Sequence, residues 1–203
     1  MIIENNQNEI TRSIEEEINE IENYIEQALY YARSEIANKD YYIKKCNLKD
    51  IVNEAIKKNK KTLINKKIKI ETINIEKIIY TDSKWTQFIL NQIILNSIKY
   101  KKELNPEIIC EAEEKKEKVI LKIKDNGIGI KETEISRVFD KGFTGTNGRI
   151  EKKSTGIGLY LCKKLCNNLG MGIEINSKEN EWTELKLIFP KNSFTQDIVE
   201  FKK

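Results

Sequence analysis

Val119-Ile120-Leu121-Lys122-Ile123-Lys124-Asp125-Asn126-Gly127-Ile128-Gly129-Ile130 reads as a buried strand that ends in a carboxylate and then turns through two glycines one residue apart. Glycine lacks a Cβ, so the backbone can turn sharply there and let a ligand come close. An ionised carboxylate only accepts hydrogen bonds. At a strand end, Asp125 can accept one from an amino group such as the exocyclic amine of a purine. A tight turn after a strand explains the six residues from Asp125 equally well, so the flanking chain has to discriminate.

Upstream, Asp82 or Ser83 is expected to cap a helix running to about Lys101. Asn96 and Lys99 lie three apart on it and share a face, while Trp85, Phe88, Ile89, Ile93 and Ile94 occupy others. An amide oxygen and an ammonium so placed suit a magnesium–triphosphate, the amide ligating the metal and the lysine meeting phosphate oxygens. They fit equally an ordinary Asn and Lys near a helix end. Downstream, Ser154-Thr155-Gly156-Ile157-Gly158-Leu159 opens a helix expected over Gly156–Leu169. Glycines at a helix start free the backbone amides to face an anion, and the dipole there favours phosphate. A plain Gly-rich N-terminus is the other reading. Between Gly129 and Gly156 lie roughly 25 residues with little regular pattern, long for a connector and suited to a lid. That stretch carries Phe139 and Phe143 as apolar anchors, with Lys141, Thr144, Gly145, Asn147, Gly148, Arg149, Lys152 and Lys153. Its cations suit a polyphosphate.

The remaining pattern mixes strands and helices. Ile10, Ile14, Ile18, Ile21, Ile25, Leu29, Ala32 and Ile36 recur at spacings of three and four, predicting one long helix over about Asn8–Asn38. Its narrow apolar seam needs a partner helix, from another chain or a segment outside this one. A short strand is expected over Tyr41–Cys46, then a helix over Leu48–Asn65 capped by Asn47, with Ile51, Val52, Ala55, Ile56 and Leu63 inward. Strands follow at Ile68–Ile73, Lys77–Tyr80, Glu107–Glu113, Gly172–Ser177 and Thr183–Phe189, with a short helix near Glu132–Phe139. The order is not a regular βαβ alternation. It predicts an α+β two-layer sandwich, one mixed sheet covered on one face by three helices.

Composition narrows the function. Residues 1–40 hold ten acids and three bases, a charge of −7, so the rest carries +11 of the net +4. The lysines are scattered rather than gathered into a stripe with arginine or aromatic anchors, which argues against nucleic acid as a partner. Cys46, Cys110, Cys162 and Cys166 form no Cys-x-x-Cys pair and read as buried free thiols of a reducing cytoplasm. No apolar run is long enough to span a bilayer. The chain has no histidine at all, which removes the commonest general base, the commonest metal ligand and any phosphohistidine acceptor from it.

Taken in order, the pieces resemble the catalytic ATP-binding domain of sensor histidine kinases, within the superfamily shared with DNA gyrase, Hsp90 and MutL. Asn96-Ser97-Ile98-Lys99-Tyr100 is similar to the N box, Asp125-Asn126-Gly127-Ile128-Gly129 to the G1 box, Phe139-Asp140-Lys141-Gly142-Phe143 to the F box, and Ser154 to Leu159 to the G2 box. The resemblance covers about residues 44–190. It implies a Bergerat-type ATP-binding fold, with Asp125 on the adenine amine, Asn96 on Mg²⁺, and Lys99 and Tyr100 along the phosphate and ribose side. It places Gly127, Gly129, Phe139, Phe143, Thr144, Gly156, Ile157, Gly158, Leu159 and Thr183 around the ATP. A narrower resemblance rests on Asp82-Ser83-Lys84-Trp85, Leu90 to Ile94, Phe143 to Arg149 and Ser154 to Leu161. It points to bacitracin-type, intramembrane-sensing kinases that work with ABC transporters of peptide-antibiotic resistance. Ile21 to Arg33 is similar to the second dimerisation helix of those kinases.

There are departures. The phosphoacceptor histidine and the first dimerisation helix are absent from this sequence, Ser154 stands where many histidine kinases have glycine, and Trp182-Thr183 replaces a Gly-Thr. Gln92, four before Asn96, stands where hydrolytic relatives carry a glutamate, and an amide cannot act as a general base. The resemblance thus implies residues 1–40 as part of a dimerisation domain, 41–190 as the ATP-binding domain and 191–203 as a tail. It further implies a homodimeric parent anchored in the membrane, with this part in the cytoplasm, and a response regulator as partner. An anti-sigma-factor-type serine/threonine kinase, or a nucleotide-responsive module without catalysis, remain the alternatives.

Overall fold

The structure, a computed structural model, describes residues 11, 14, 17, 18, 21–32, 41–146 and 154–191. The expectations for Ile10, Ile36, Asn147, Gly148, Arg149, Lys152, Lys153 and the tail beyond Lys191 fall outside these. The chain divides into two compact units, Met1–Asn38 and Lys39–Lys203. In the first, residues 21–32 are helical (α1), as are the described residues before them. Ile14, Ile18, Ile21, Ile25 and Leu29 are all about half exposed, so the seam the spacing predicts is present.

In the second unit the elements are β1 (Lys44–Asn47), α2 (Leu48–Asn65), β2 (Lys69–Ile73), β3 (Ile78–Thr81) and α3 (Ser83–Lys99). Then come β4 (Glu107–Glu114), β5 (Lys118–Asp125), α4 (Glu132–Ile135), α5 (Gly158–Asn168), β6 (Gly172–Lys178) and β7 (Trp182–Pro190). Five strands form a mixed sheet in the order β2-β4-β5-β7-β6, parallel at β2/β4 and antiparallel elsewhere. The single sheet expected from the pattern is corrected here. β1 and β3 pair with each other in a separate two-stranded ribbon. Each of these four-residue strands runs straight into a helix cap, Asn47 or Asp82, which ends it before it can extend.

The helix caps follow the sequence reading. Asn47 Oδ1 accepts from Lys49 N at 3.0 Å, and Asp82 Oδ1 accepts from Lys84 N at 3.0 Å. α2 buries Ile51, Val52, Ala55 and Leu63 as expected, and also Asn59. Asn59 Nδ2 donates to Ala55 O at 2.9 Å and to Asn91 Oδ1 at 2.7 Å, which ties α2 to α3. In α3, 11 of 17 residues are buried, so it is an interior helix with no broad solvent face. Phe88, Ile89, Ile93 and Ile94 contribute about 1.5–3 kcal/mol each of apolar burial. The strands alternate beneath them. Ile108, Cys110 and Ala112 of β4, Leu121 and Ile123 of β5, and Leu185, Leu187 and Phe189 of β7 are buried. Period two carries Asp125 to the same side as Leu121 and Ile123, so a carboxylate ends the buried row of a central strand.

Candidate functional site

Asp125 is 7% exposed. Ser97 Oγ, on α3, donates to its Oδ2 at 2.7 Å, and Gly127 N donates to its Oδ1 at 3.0 Å. Burial pushes the carboxyl above its ordinary range. The Ser97 hydroxyl and the backbones of Gly127 and Thr183 pull it back down. Thr183 lies directly opposite Asp125 on β7, and its Oγ1 shares a hydrogen bond with Ser177 Oγ at 3.0 Å.

The loop after Asp125 is pinned on three sides. Asn126 Oδ1 accepts from Glu107 N at 2.9 Å, and its Nδ2 donates to Asn105 O at 2.9 Å. Ile128 N donates to Tyr100 O at 3.0 Å, and Ile128 O accepts from Asn180 N at 2.7 Å. Ile130 N donates to Ser177 Oγ at 2.9 Å. Glycine is required twice. A Cβ on Gly127 would stand 2.3 Å from Tyr100 O, and one on Gly129, which has φ +65°, would stand 2.1 Å from Lys178 O. The turn after the strand is thus locked to the end of α3 and to the β6–β7 hairpin.

The end of α3 also meets the start of the Gly156 region. Lys99 Nζ donates to Ser154 Oγ at 2.9 Å, and Tyr100 Oη lies 3.0 Å from the same oxygen. Asn96 is half-buried one turn before Tyr100 on the same helix. Gly156 has φ +65°, and a Cβ there would lie 2.4 Å from Gly142 C, so the chain at Gly142 and the chain at Gly156 meet backbone to backbone. Gly142 N donates to Gly156 O at 3.0 Å. This left-handed residue cannot be helical, so α5 starts at Gly158 rather than at Gly156. Among the described residues no side chain caps α5 at Ile157, and the first amides of a helix have no partner within the helix. Ile157 and Leu159 flank Gly158 and are half-buried.

The lid base is built from aromatic rings and one carboxylate. The short helix ends at Ile135, earlier than the Phe139 expected, and turns continue from it. The Lys163 ammonium lies over the Phe139 ring at 5.8 Å, and the Arg137 guanidinium over Phe143 at 4.7 Å. Thr144 is half-buried. Next to it, Glu134 Oε1 accepts from Thr146 N at 2.9 Å and from Thr146 Oγ1 at 2.6 Å.

Two residues at the site escape motif reading. Ser97 sits between Asn96 and Lys99, and a serine buried in the last turn of a helix is the signal that it has a partner. Ser154 stands out in the sequence only as a departure from glycine. Its partners are 55 and 54 residues away. Among the described residues no cluster of His, Cys, Asp and Glu is able to hold a metal ion. Asn96 supplies one oxygen, which fits a Mg²⁺ carried mainly by nucleotide phosphates and water.

Residues 81–193 match the family described as histidine kinase-, DNA gyrase B-, and HSP90-like ATPase. The chain is 32% identical over 197 residues to the sensor histidine kinase YxdK of Bacillus subtilis, covering 93% of this chain and 58% of YxdK. It is 34% identical over 181 residues to the sensor protein kinase GraS of Staphylococcus aureus, covering 89% of this chain and 51% of GraS. The chain therefore spans about half the length of the curated relatives it matches. The solved catalytic domain of histidine kinase ThkA has TM-score 0.64 at 22% identity, covering 74% of this chain and 98% of that domain. ThkA in complex with the response regulator protein TrrA has TM-score 0.66 at 20% identity, covering 88% of this chain and 49% of ThkA. At these identities the likeness to solved structures is one of fold.

Proposed function

This chain belongs to the histidine kinase-, DNA gyrase B- and HSP90-like ATPase family, and from that premise we propose that it is the ATP-binding catalytic part of a two-component sensor histidine kinase. The observation that carries the reading is the buried Asp125 carboxylate at the end of β5, joined by hydrogen bonds to α3 and to its own glycine turn. In this role Asp125 accepts the adenine amine and so sets the orientation of the nucleotide. Thr183, on the neighbouring strand, completes the adenine wall, and Gly127 and Gly129 keep the loop thin. Lys99 and Tyr100 line the phosphate and ribose side. Gly156 and Gly158 let the backbone amides approach the phosphates, and Phe139, Phe143 and Thr144 brace the lid over them. Asn96 would hold Mg²⁺, which supplies charge neutralisation on the phosphates when bound. Gln92 provides no base for water. The site accordingly holds ATP for transfer to a histidine that this sequence does not contain.

Residues 1–40 are read as the second helix of a dimerisation domain. The exposed seam of Ile14, Ile18, Ile21, Ile25 and Leu29 supports that reading. The parent kinase would be a membrane-anchored homodimer with this part in the cytoplasm. Among the described residues no helix is long and apolar enough to cross a membrane. A response regulator would receive the phosphoryl group, as the ThkA–TrrA complex suggests by analogy. The narrower resemblance carried by Asp82 to Trp85, Leu90 to Ile94, Phe143 to Arg149 and Ser154 to Leu161 supports peptide-antibiotic sensing beside an ABC transporter. The test is to incubate this chain with labelled Mg-ATP and a separate histidine-bearing dimerisation helix. Acid-labile label on the added helix is expected, and none on this chain. Acid-stable label on a serine-bearing substrate instead would make it a serine/threonine kinase, and nucleotide binding without any transfer would leave a binding module.

A further inference from the structure

Ser97 Oγ lies 2.7 Å from Asp125 Oδ2, 28 positions away along the chain. We propose that Ser97 is a positioning residue for purine recognition, whose hydroxyl fixes the Asp125 carboxylate so that its remaining lone pairs accept an exocyclic amine. This rests on the adenine-site reading above. A carboxylate has about four lone-pair sites on its two oxygens. Ser97 takes one on Oδ2, Gly127 N takes one on Oδ1 and the Thr183 backbone also bonds the carboxylate, which still leaves acceptor capacity for a ligand. A serine inside a helix ordinarily turns to solvent or bonds back to the carbonyl four residues earlier. Ser97 is 3% exposed, and its hydroxyl is directed at the carboxylate instead.

The surroundings make that one donor weigh heavily. α3 presents Ser97, the glycine turn presents Gly127, β7 presents Thr183 and β4 opposes Asp125 with Ile108. None of these carries a charge, so neutral dipoles alone hold the ionised form against burial. Without the hydroxyl, the carboxyl would rise further and turn more freely.

Calorimetric titration of ADP and of inosine diphosphate into wild type, Ser97→Ala, Ser97→Thr and Asp125→Asn tests this. Inosine diphosphate carries a carbonyl where ADP carries the amine, and the titrations run from about pH 5 to about pH 8. Ser97→Ala should bind ADP about tenfold more weakly at neutral pH. It should lose much of its preference for ADP over inosine diphosphate, and its ADP affinity should fall away at a higher pH than that of wild type. Ser97→Thr, which keeps the hydroxyl, should retain the wild-type pH midpoint. Wild-type affinity in Ser97→Ala overturns the proposal. So does weakening that is equal for both nucleotides with an unmoved pH midpoint, because that pattern means lost packing alone. If wild type binds no ADP, or Asp125→Asn binds it as wild type does, the adenine-site reading itself falls. If Asp125→Asn loses ADP and Ser97→Ala does not, only the role of Ser97 falls.

Discussion

Asp125 is under tension between stability and function. Its carboxyl is raised above the ordinary value because it is buried. An acid raised by folding binds its proton more tightly folded than unfolded, so its ionisation opposes the fold. That penalty is absent below the unfolded carboxyl value and complete above the raised one, and stability lost to it grows as pH rises between the two. The Asp125→Asn variant should therefore be more stable than wild type at neutral pH, with the gain vanishing as pH falls through the carboxyl range. Urea unfolding of both proteins at several pH values reads this directly. Only the difference counts, because Glu76, Glu113 and Glu114 shift the opposite way through their lysine partners and lose stability in acid. The glycines separate two further effects. Gly127→Ala drives a Cβ into the Tyr100 carbonyl inside the fold, and should cost about 1–3 kcal/mol of stability by urea unfolding. Gly156→Ala forces a left-handed residue against the Gly142 backbone, and should weaken ATP binding while moving the melting temperature little.

Among the helices, α3 has the most tied to it, with Asp82 at its head. Asp82 Oδ1 caps α3, while Oδ2 accepts from Tyr42 N at 3.0 Å. Trp85, one turn in, packs against Tyr41 with ring centroids 5.4 Å apart and the rings tilted by 58°, and Asn168 of α5 donates to Tyr41 Oη at 2.7 Å. Asp82→Ala removes the cap and the Tyr42 contact together, and should lower stability by about 1–2 kcal/mol in urea unfolding. This cap was legible in the sequence, as were Asn47, the length of α2 and the strand into Asp125, because each depends on residues a few positions apart. The separate β1–β3 ribbon was not. Its pairing joins residues far apart in the chain, as Lys45 with Tyr80, and hydrophobic alternation does not say which strand lies beside which. The same physics hid Ser97 and Ser154. Asn96, Lys99, Asp125 and Gly156 announce themselves by residue type and spacing, whereas a serine acquires its meaning from what the fold brings against it.

At the scale of the whole chain, the proposed transfer needs a histidine from outside these 203 residues, which contain none. The buried thiols do not compete for that role. Burial raises Cys162 well above its ordinary value and pushes Cys110 and Cys166 up to about 12, so all three stay protonated and inert. What everything else depends on is that this chain binds an adenine nucleotide through Asp125. The direct measurement is calorimetric titration of Mg-ADP into wild type and Asp125→Asn at neutral pH. The account predicts one nucleotide per wild-type chain, and an affinity at least about tenfold weaker in Asp125→Asn, because a hydrogen bond to a charged group is lost. No binding by wild type, or equal binding by the two proteins, would contradict it.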